Sequence, residues 1–198
     1  MSEAAFLDRV PFRFENVKSS DEGIDTEQFL EASKGVVMLF DELGSAAFSP
    51  VKSDITGNIT KVYTKYNTDK QKFNTLEKIV LDEASSKDKT ATQGLLWLKR
   101  GLEFCALAII KNIQNVTEEL SQSFTNAYNE TLKQYHNFLI KPIFLLAMKA
   151  CPTASVFYSK IGSSPTLKDE LLVWAKALKA FTDRLDAFYK KGSYDKGL

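Results

Sequence analysis

From about Ala91 to Ile113 the chain places Leu95, Leu96, Trp97, Leu98, Leu102, Phe104, Cys105, Leu107, Ile109 and Ile110 nearly all the way round a helix. A helix without a polar face has to be covered on several sides, so this segment is expected at the centre of a helical fold. Its charges, Lys99, Arg100 and Glu103, gather beside Gly101. They keep the apolar run well short of the ~18 residues that a membrane span requires.

Other amphipathic segments are available to cover it. Asp25 or Thr26 caps a first helix, with Gln28 at capping-box distance from Asp25 and Phe29, Leu30, Val36, Val37, Phe40 and Leu43 on its apolar face; Gly44 ends it. Ser49 and Pro50 read as N-cap and first residue of a second helix that runs to Tyr66. Thr68 and Asp69 open a third, with Phe73, Leu76, Ile79 and Val80 inward. Thr117, Glu118 and Glu119 start a long helix. Pro142 lies inside its pattern, which predicts a kink over Phe138 to Lys141 and a continuation to Cys151-Pro152. A short helix is expected between Thr153 and Thr166. The last helix carries Leu167, Leu171, Trp174, Leu178, Phe181, Leu185 and Phe188 and stops at Gly192. Residues 1–24 mix Phe6, Leu7, Phe12 and Phe14 with charges and Pro11, an arm that either packs on the body or frays. No strand-like alternation or repeat is present. The expected class is all-α, about seven helices in one domain covering residues 1–198.

The inventory excludes much chemistry. A net charge of +1 gives no reason to expect nucleic acid as a partner. Two cysteines and one histidine make neither a disulfide framework nor a metal-ligand cluster, so no metal or cofactor is expected. No metalloprotease, nucleophile-elbow, phosphate-loop or calcium-loop motif occurs. Cys105 and His136 could be paired on paper, but the apolar helix around Cys105 would raise its pKa and hide it. The chain is therefore not expected to be an enzyme. Its N-terminus has no basic stretch followed by an apolar core, so a cytoplasmic location is expected.

The second helix holds the most informative polar residues. Asp54, Asn58 and Lys61 recur at i, i+4 and i+7 and form a stripe along the rim of the apolar face made by Val51, Ile55, Ile59, Val62 and Tyr66. Such a stripe is also what a solvated helix face shows. Together, however, an acid, an amide and an ammonium can accept, bridge and donate hydrogen bonds to one polyhydroxylated group. Gly57 inside the helix costs about 1 kcal/mol relative to Ala and points to something approaching the backbone there. Trp97 is either core or a flat apolar face for a sugar ring. His136 stands just before the expected kink. Phe138, Ile140 and Lys141 mix apolar and basic side chains, as an interfacial patch does.

At Asp54-x-x-x-Asn58-x-x-Lys61, followed by Gly94-Leu-Leu-Trp97-Leu-Lys-Arg-Gly-Leu-Glu-Phe104 and Tyr135-His136, the chain closely resembles the glycolipid transfer protein family. The segments Phe40 to Ser45 and Phe48 to Lys52 resemble it too, over roughly residues 26–160. Cys151-Pro152 and the run from Asn115 to Leu120 are most like the fungal heterokaryon-incompatibility branch. The resemblance implies a two-layer α-helical sandwich that carries one glycosphingolipid between membranes. In that likeness Asp54, Asn58 and Lys61 bind sugar hydroxyls and Trp97 stacks on the first sugar. Asp54 and His136 clamp the ceramide amide. Phe40, Pro50, Val51, Phe104, Leu132, Phe144 and Met148 line the acyl pocket, and Phe138, Ile140 and Lys141 touch the membrane transiently. A monomer is implied. Basic residues at the positions of Asn58 and Trp97 would mark the ceramide phosphate branch, and their identity here argues for sugar. A lipid-gated module in fungal self-recognition or cell death is the alternative of another class. Two departures stand out: Phe138 replaces an interfacial tryptophan, and the tail around Tyr194 does not align with the segment that closes over the head group.

Overall fold

The computed structural model describes residues 4–198. Residues 1–3, the start of the N-terminal arm, lie outside the described residues. The described residues form nine α-helices: α1 Phe6–Arg9, α2 Thr26–Glu42, α3 Ser49–Tyr66, α4 Leu76–Glu83, α5 Thr90–Gln114, α6 Leu120–Glu130, α7 Ile140–Lys149, α8 Ala154–Ile161 and α9 Leu167–Gly192. Among the described residues the departures from all-α are a two-residue antiparallel ladder, β1 Ser19–Ser20 with β2 Gly23–Ile24, and one isolated β-bridge. As its composition requires, α5 is central and packs against α3, α6 and α9, while α2 lies on α3. Leu98, Leu102, Phe104, Cys105 and Ile109 of α5 are fully buried.

Helix α2 is capped as expected, the Asp25 carboxylate accepting from the Gln28 backbone N–H at 2.9 Å. The Gln28 side chain does not close the box; its oxygen accepts from the Lys18 N–H at 2.8 Å instead. Gly44 follows the end of α2 with φ +73°, a left-handed conformation in which a Cβ is costly.

One open alternative is resolved and three expectations require correction. The N-terminal arm, over its described part, is anchored: Phe6, Leu7 and Phe14 are buried, and both Phe6 and Phe14 pack on Trp174 of α9. The third helix starts at Leu76 and not at Thr68, because residues 73–75 are tied to the start of α2, with Thr75 extended. Thr26 Oγ1 donates to the Phe73 carbonyl at 2.7 Å, and Asp25 and Thr75 form a β-bridge. Helix α3 begins at Ser49 behind a turn of 3-10 helix, Ala46–Phe48, so Pro50 is its second residue.

The third correction concerns the expected kink. The long helix is broken outright: α6 stops at Glu130, and α7 begins ten residues later, at Ile140. At the break Thr131 back-bonds to the Ala127 carbonyl at 2.7 Å. Asn137 accepts from the backbone N–H groups of Leu139 at 2.9 Å and Ile140 at 3.1 Å. These side-chain bonds satisfy groups that a continuous helix would otherwise pair, so a fresh start competes with a kink. Pro142 then falls in the first turn of α7, where its missing N–H would have no intrahelical partner anyway.

Candidate functional site

Two close helix crossings build the site. At Gly94 of α5 a Cβ would lie 2.9 Å from Cβ of Lys61 and 3.5 Å from the Asn58 carbonyl oxygen. One heptad on, a Cβ at Gly101 would meet Ile55 at 3.4 Å. The absence of side chains at Gly94 and Gly101 lets α3 approach α5, which brings the polar rim of α3 beside Trp97. Gly57, by contrast, has nothing within 4 Å of its Cβ position. The close approach expected at Gly57 is absent; the glycine that a neighbouring helix does approach is Gly94.

Asp54, Asn58, Lys61, Trp97 and His136 line one cavity of ≈ 420 Å³, together with Pro50, Gln93, Ile140, Ile143 and Phe144. One wall is polar and comes from α3. The other is apolar and comes from α7. The volume lies within the range of small-molecule pockets, about 300–1,000 Å³. Lys61 donates to the Asn58 amide oxygen at 3.1 Å. The Asn58 nitrogen is buried and has no hydrogen-bond partner among the described residues. A buried, unpaired donor is costly unless a ligand satisfies it. Asp54 retains solvent access, yet desolvation raises its pKa above the ordinary 3.8, with Lys61 and the nearby Asn58 amide opposing the rise.

The aromatic wall is continuous. Trp97 and His136 are nearly parallel, 13° apart with centroids separated by 6.2 Å. Phe144 packs on His136 at 4.4 Å. Arg100 lies behind this wall between Trp97 and Tyr135. Tyr128, fully buried, reaches Nδ1 of His136 with its hydroxyl at 3.2 Å. Burial lowers the His136 pKa below its ordinary 6.5, and the Lys141 ammonium lowers it further, so the ring is neutral at physiological pH.

Of the seven residues expected to form an acyl pocket, Pro50 and Phe144 line this cavity. Phe40, Val51, Phe104, Leu132 and Met148 are buried side chains of the packed core instead. Tyr194 packs on Phe188 with ring centroids 5.1 Å apart and is not among the residues lining this cavity. Gln93, Ile143 and Gly94 are additions. Gln93 stands one turn before Trp97 and Ile143 three residues after Ile140, so helical spacing from those residues would have found both. Beside the cavity, α7 and the two residues before it turn apolar side chains outward: Phe138 is 80% exposed, Leu139 63% and Leu146 64%. No single helix is long and apolar enough to cross a membrane; α7 and α8 pass such a test only as a pair bent by 79°. Cys105 and Cys151 are unpaired thiols, both with pKa raised by burial.

The profile of the glycolipid transfer protein family (GLTP) matches residues 24–163. This chain belongs to the glycolipid transfer protein family. The glycolipid transfer protein of Aureobasidium melanogenum is 43% identical over 184 residues, 92% of this chain and 92% of its own length. Human pleckstrin homology domain-containing family A member 8 is 41% identical over 86% of this chain, which spans only 35% of that larger protein. The fungal glycolipid transfer protein HET-C2 superposes with a TM-score of 0.89 at 41% identity, covering 93% of this chain and 96% of its own. The GLTP-fold structure of FAPP2, described as selecting simple glycosphingolipids, gives 0.86 at 32% identity over 96% and 97%. Human ceramide-1-phosphate transfer protein shares the fold, with a TM-score of 0.81 at 18% identity over 95% and 97%. The architecture is thus the two-layer helical sandwich of the glycolipid transfer protein family, a family of lipid transfer proteins.

Proposed function

We propose that this protein carries one glycosphingolipid at a time between membranes and makes or breaks no covalent bond. The supporting observation is the convergence of Asp54, Asn58, Lys61, Trp97 and His136 on one cavity that is polar on one wall and apolar on the other. A ligand that is half sugar and half hydrocarbon is complementary to both walls. Asp54, Asn58 and Lys61 hydrogen-bond sugar hydroxyls, and the orphaned Asn58 nitrogen finds its acceptor there. Trp97 stacks on the first sugar. Asp54 accepts from the ceramide amide N–H, and His136 donates to its carbonyl. A site built to hydrogen-bond hydroxyls rejects ligands that lack them, because its own polar groups would go unpaired.

The hydrocarbon needs a sleeve, since an acyl chain in water costs about 0.8 kcal/mol per CH₂. The chains enter past Pro50 and Phe144 and part the packed side chains of Phe40, Val51, Phe104, Leu132 and Met148. Phe138, Ile140 and Lys141, extended by Leu139 and Leu146, form the transient membrane contact. The carrier works as a cytoplasmic monomer.

A ceramide phosphate cargo is the second reading, since carriers of that lipid share the fold. Among the residues lining this cavity Lys61 is the one ammonium or guanidinium group, a poor complement to a phosphate. The deciding experiment offers vesicles containing labelled galactosylceramide or labelled ceramide-1-phosphate. Galactosylceramide transfer well above that of Trp97→Ala is expected. Wild-type transfer no faster than this variant, or preference for the phosphate lipid, overturns the proposal.

A further inference from the structure

We propose that Tyr128 is a positioning residue for the cargo site: its phenol fixes the tautomer of His136, so that the ring meets the cavity as a hydrogen-bond donor. This rests on the reading of His136 as the group that meets the cargo's amide carbonyl.

The argument is one of proton counting. The Tyr128 hydroxyl is on a fully buried residue, and its one hydrogen-bond partner among the described residues is Nδ1 of His136, 3.2 Å away. If Nδ1 carried the proton, it would donate to the phenol oxygen, and the phenol hydrogen would be left without an acceptor. An unsatisfied buried donor of that kind is disfavoured. The arrangement that satisfies both groups has the phenol donating to a bare Nδ1. The ring is neutral, so its single proton sits on Nε2. Nε2 makes no hydrogen bond among the described residues, and His136 lines the cavity. The cavity therefore receives an N–H, complementary to a carbonyl and not to an amide N–H.

The position of Tyr128 is itself secured. Its ring stacks on Phe144 with centroids 5.3 Å apart and 15° between planes, and meets Phe104 edge-on at 6.4 Å. Helix α6 thus ends with a rigid post against which the histidine, on the irregular segment between α6 and α7, is registered. Tyr128→Phe keeps the ring and its stacking and removes only the hydroxyl.

His136 is the only histidine, so its ring nitrogens can be read without assignment in ¹⁵N-histidine-labelled full-length protein. In ligand-free wild type the Nε2-protonated tautomer is expected alone, and in Tyr128→Phe a mixture of both. Wild-type Nδ1 protonation, or an unchanged tautomer in the variant, overturns the proposal. In vesicle transfer of galactosylceramide, Tyr128→Phe is expected to slow the wild-type rate about fivefold, the size of one hydrogen bond. It should add nothing further in a His136→Ala background. A loss of the same size in both backgrounds would make Tyr128 a general structural residue and overturn the positioning role. A wild-type protein that moves no galactosylceramide would instead overturn the carrier reading and leave the tautomer result standing.

Discussion

The guanidinium carbon of Arg100 lies 3.7 Å from the ring centroid of Tyr135 and 4.8 Å from that of Trp97. Arg100 is only 8% exposed, and its Nε has no hydrogen-bond partner among the described residues. A planar cation between two aromatic faces ties Trp97 on α5 to the segment that carries His136. Lys cannot reproduce this, because its charge is a point and not a plate. Cation–π contacts are worth about 0.5–2 kcal/mol. Arg100→Lys is expected to lower the melting temperature by about 1–8 °C, given about 2–4 °C per kcal/mol for a chain of this size. It should slow glycolipid transfer severalfold through a loosened Trp97. Circular dichroism melts and vesicle transfer check both; an unchanged transfer rate would remove Arg100 from the site.

The two glycines near the polar rim should respond in opposite ways. Gly57→Ala adds a methyl in open space on a helix and is expected to stabilise by about 0.5–1 kcal/mol with transfer unchanged. Gly94→Ala would push against Cβ of Lys61, close to the α3 backbone, so the helices must separate. Overpacking of that kind costs about 1–3 kcal/mol. Lowered stability and weakened galactosylceramide binding are expected together, measured by denaturant titration and by vesicle transfer.

Asp54 should trade stability for binding. Its folded pKa is raised above 3.8 by desolvation. For an acid shifted upward, the folded state holds the proton more tightly than the unfolded chain does. The penalty is therefore absent below 3.8, grows as pH rises through the folded-state pKa, and is fully present at neutral pH. Asp54→Asn is expected to raise the melting temperature at neutral pH but not below the ordinary carboxylate range. Asp54→Val should abolish transfer with helical content intact. Melts across pH, paired with transfer assays, test this; transfer retained by Asp54→Val would put the site elsewhere.

Membrane contact should be separable from cargo binding. Phe138 and Leu146 are exposed on the α7 side of the cavity and do not line it. Phe138→Asp with Leu146→Asp is expected to slow vesicle-to-vesicle transfer at least tenfold, while a short-chain glycolipid in solution binds as before. Phe138→Trp should increase vesicle partitioning, since indole favours the interface. Flotation with vesicles and tryptophan fluorescence measure the two effects.

Much of this arrangement could be read from residue order. The all-round apolar pattern of residues 91–113 marked α5 as central, and i, i+4, i+7 spacing marked Asp54, Asn58 and Lys61 as one edge. What periodicity could not supply was the competition between local side-chain bonds and helix continuation. The patterns around Thr131 and Asn137 are compatible with helix, and only their bonds to Ala127, Leu139 and Ile140 end it. The same limit applies to residues 68–75, which run as turns and then pair at residues 73–75 with residues 25 and 26. Gly57 and Gly94 look alike as letters inside helical patterns. Which of them a neighbouring helix approaches depends on a crossing between segments distant in sequence.

The break between α6 and α7 has one more consequence. His136 faces the cavity and Phe138 faces outward, with a single residue between them on a stretch belonging to neither helix. Under the proposed carrier function, sensing cargo and gripping a bilayer share one short hinge. Natural variation in that hinge would alter what the protein loads and where it lands in the same step, so the two preferences would be inherited as a linked trait.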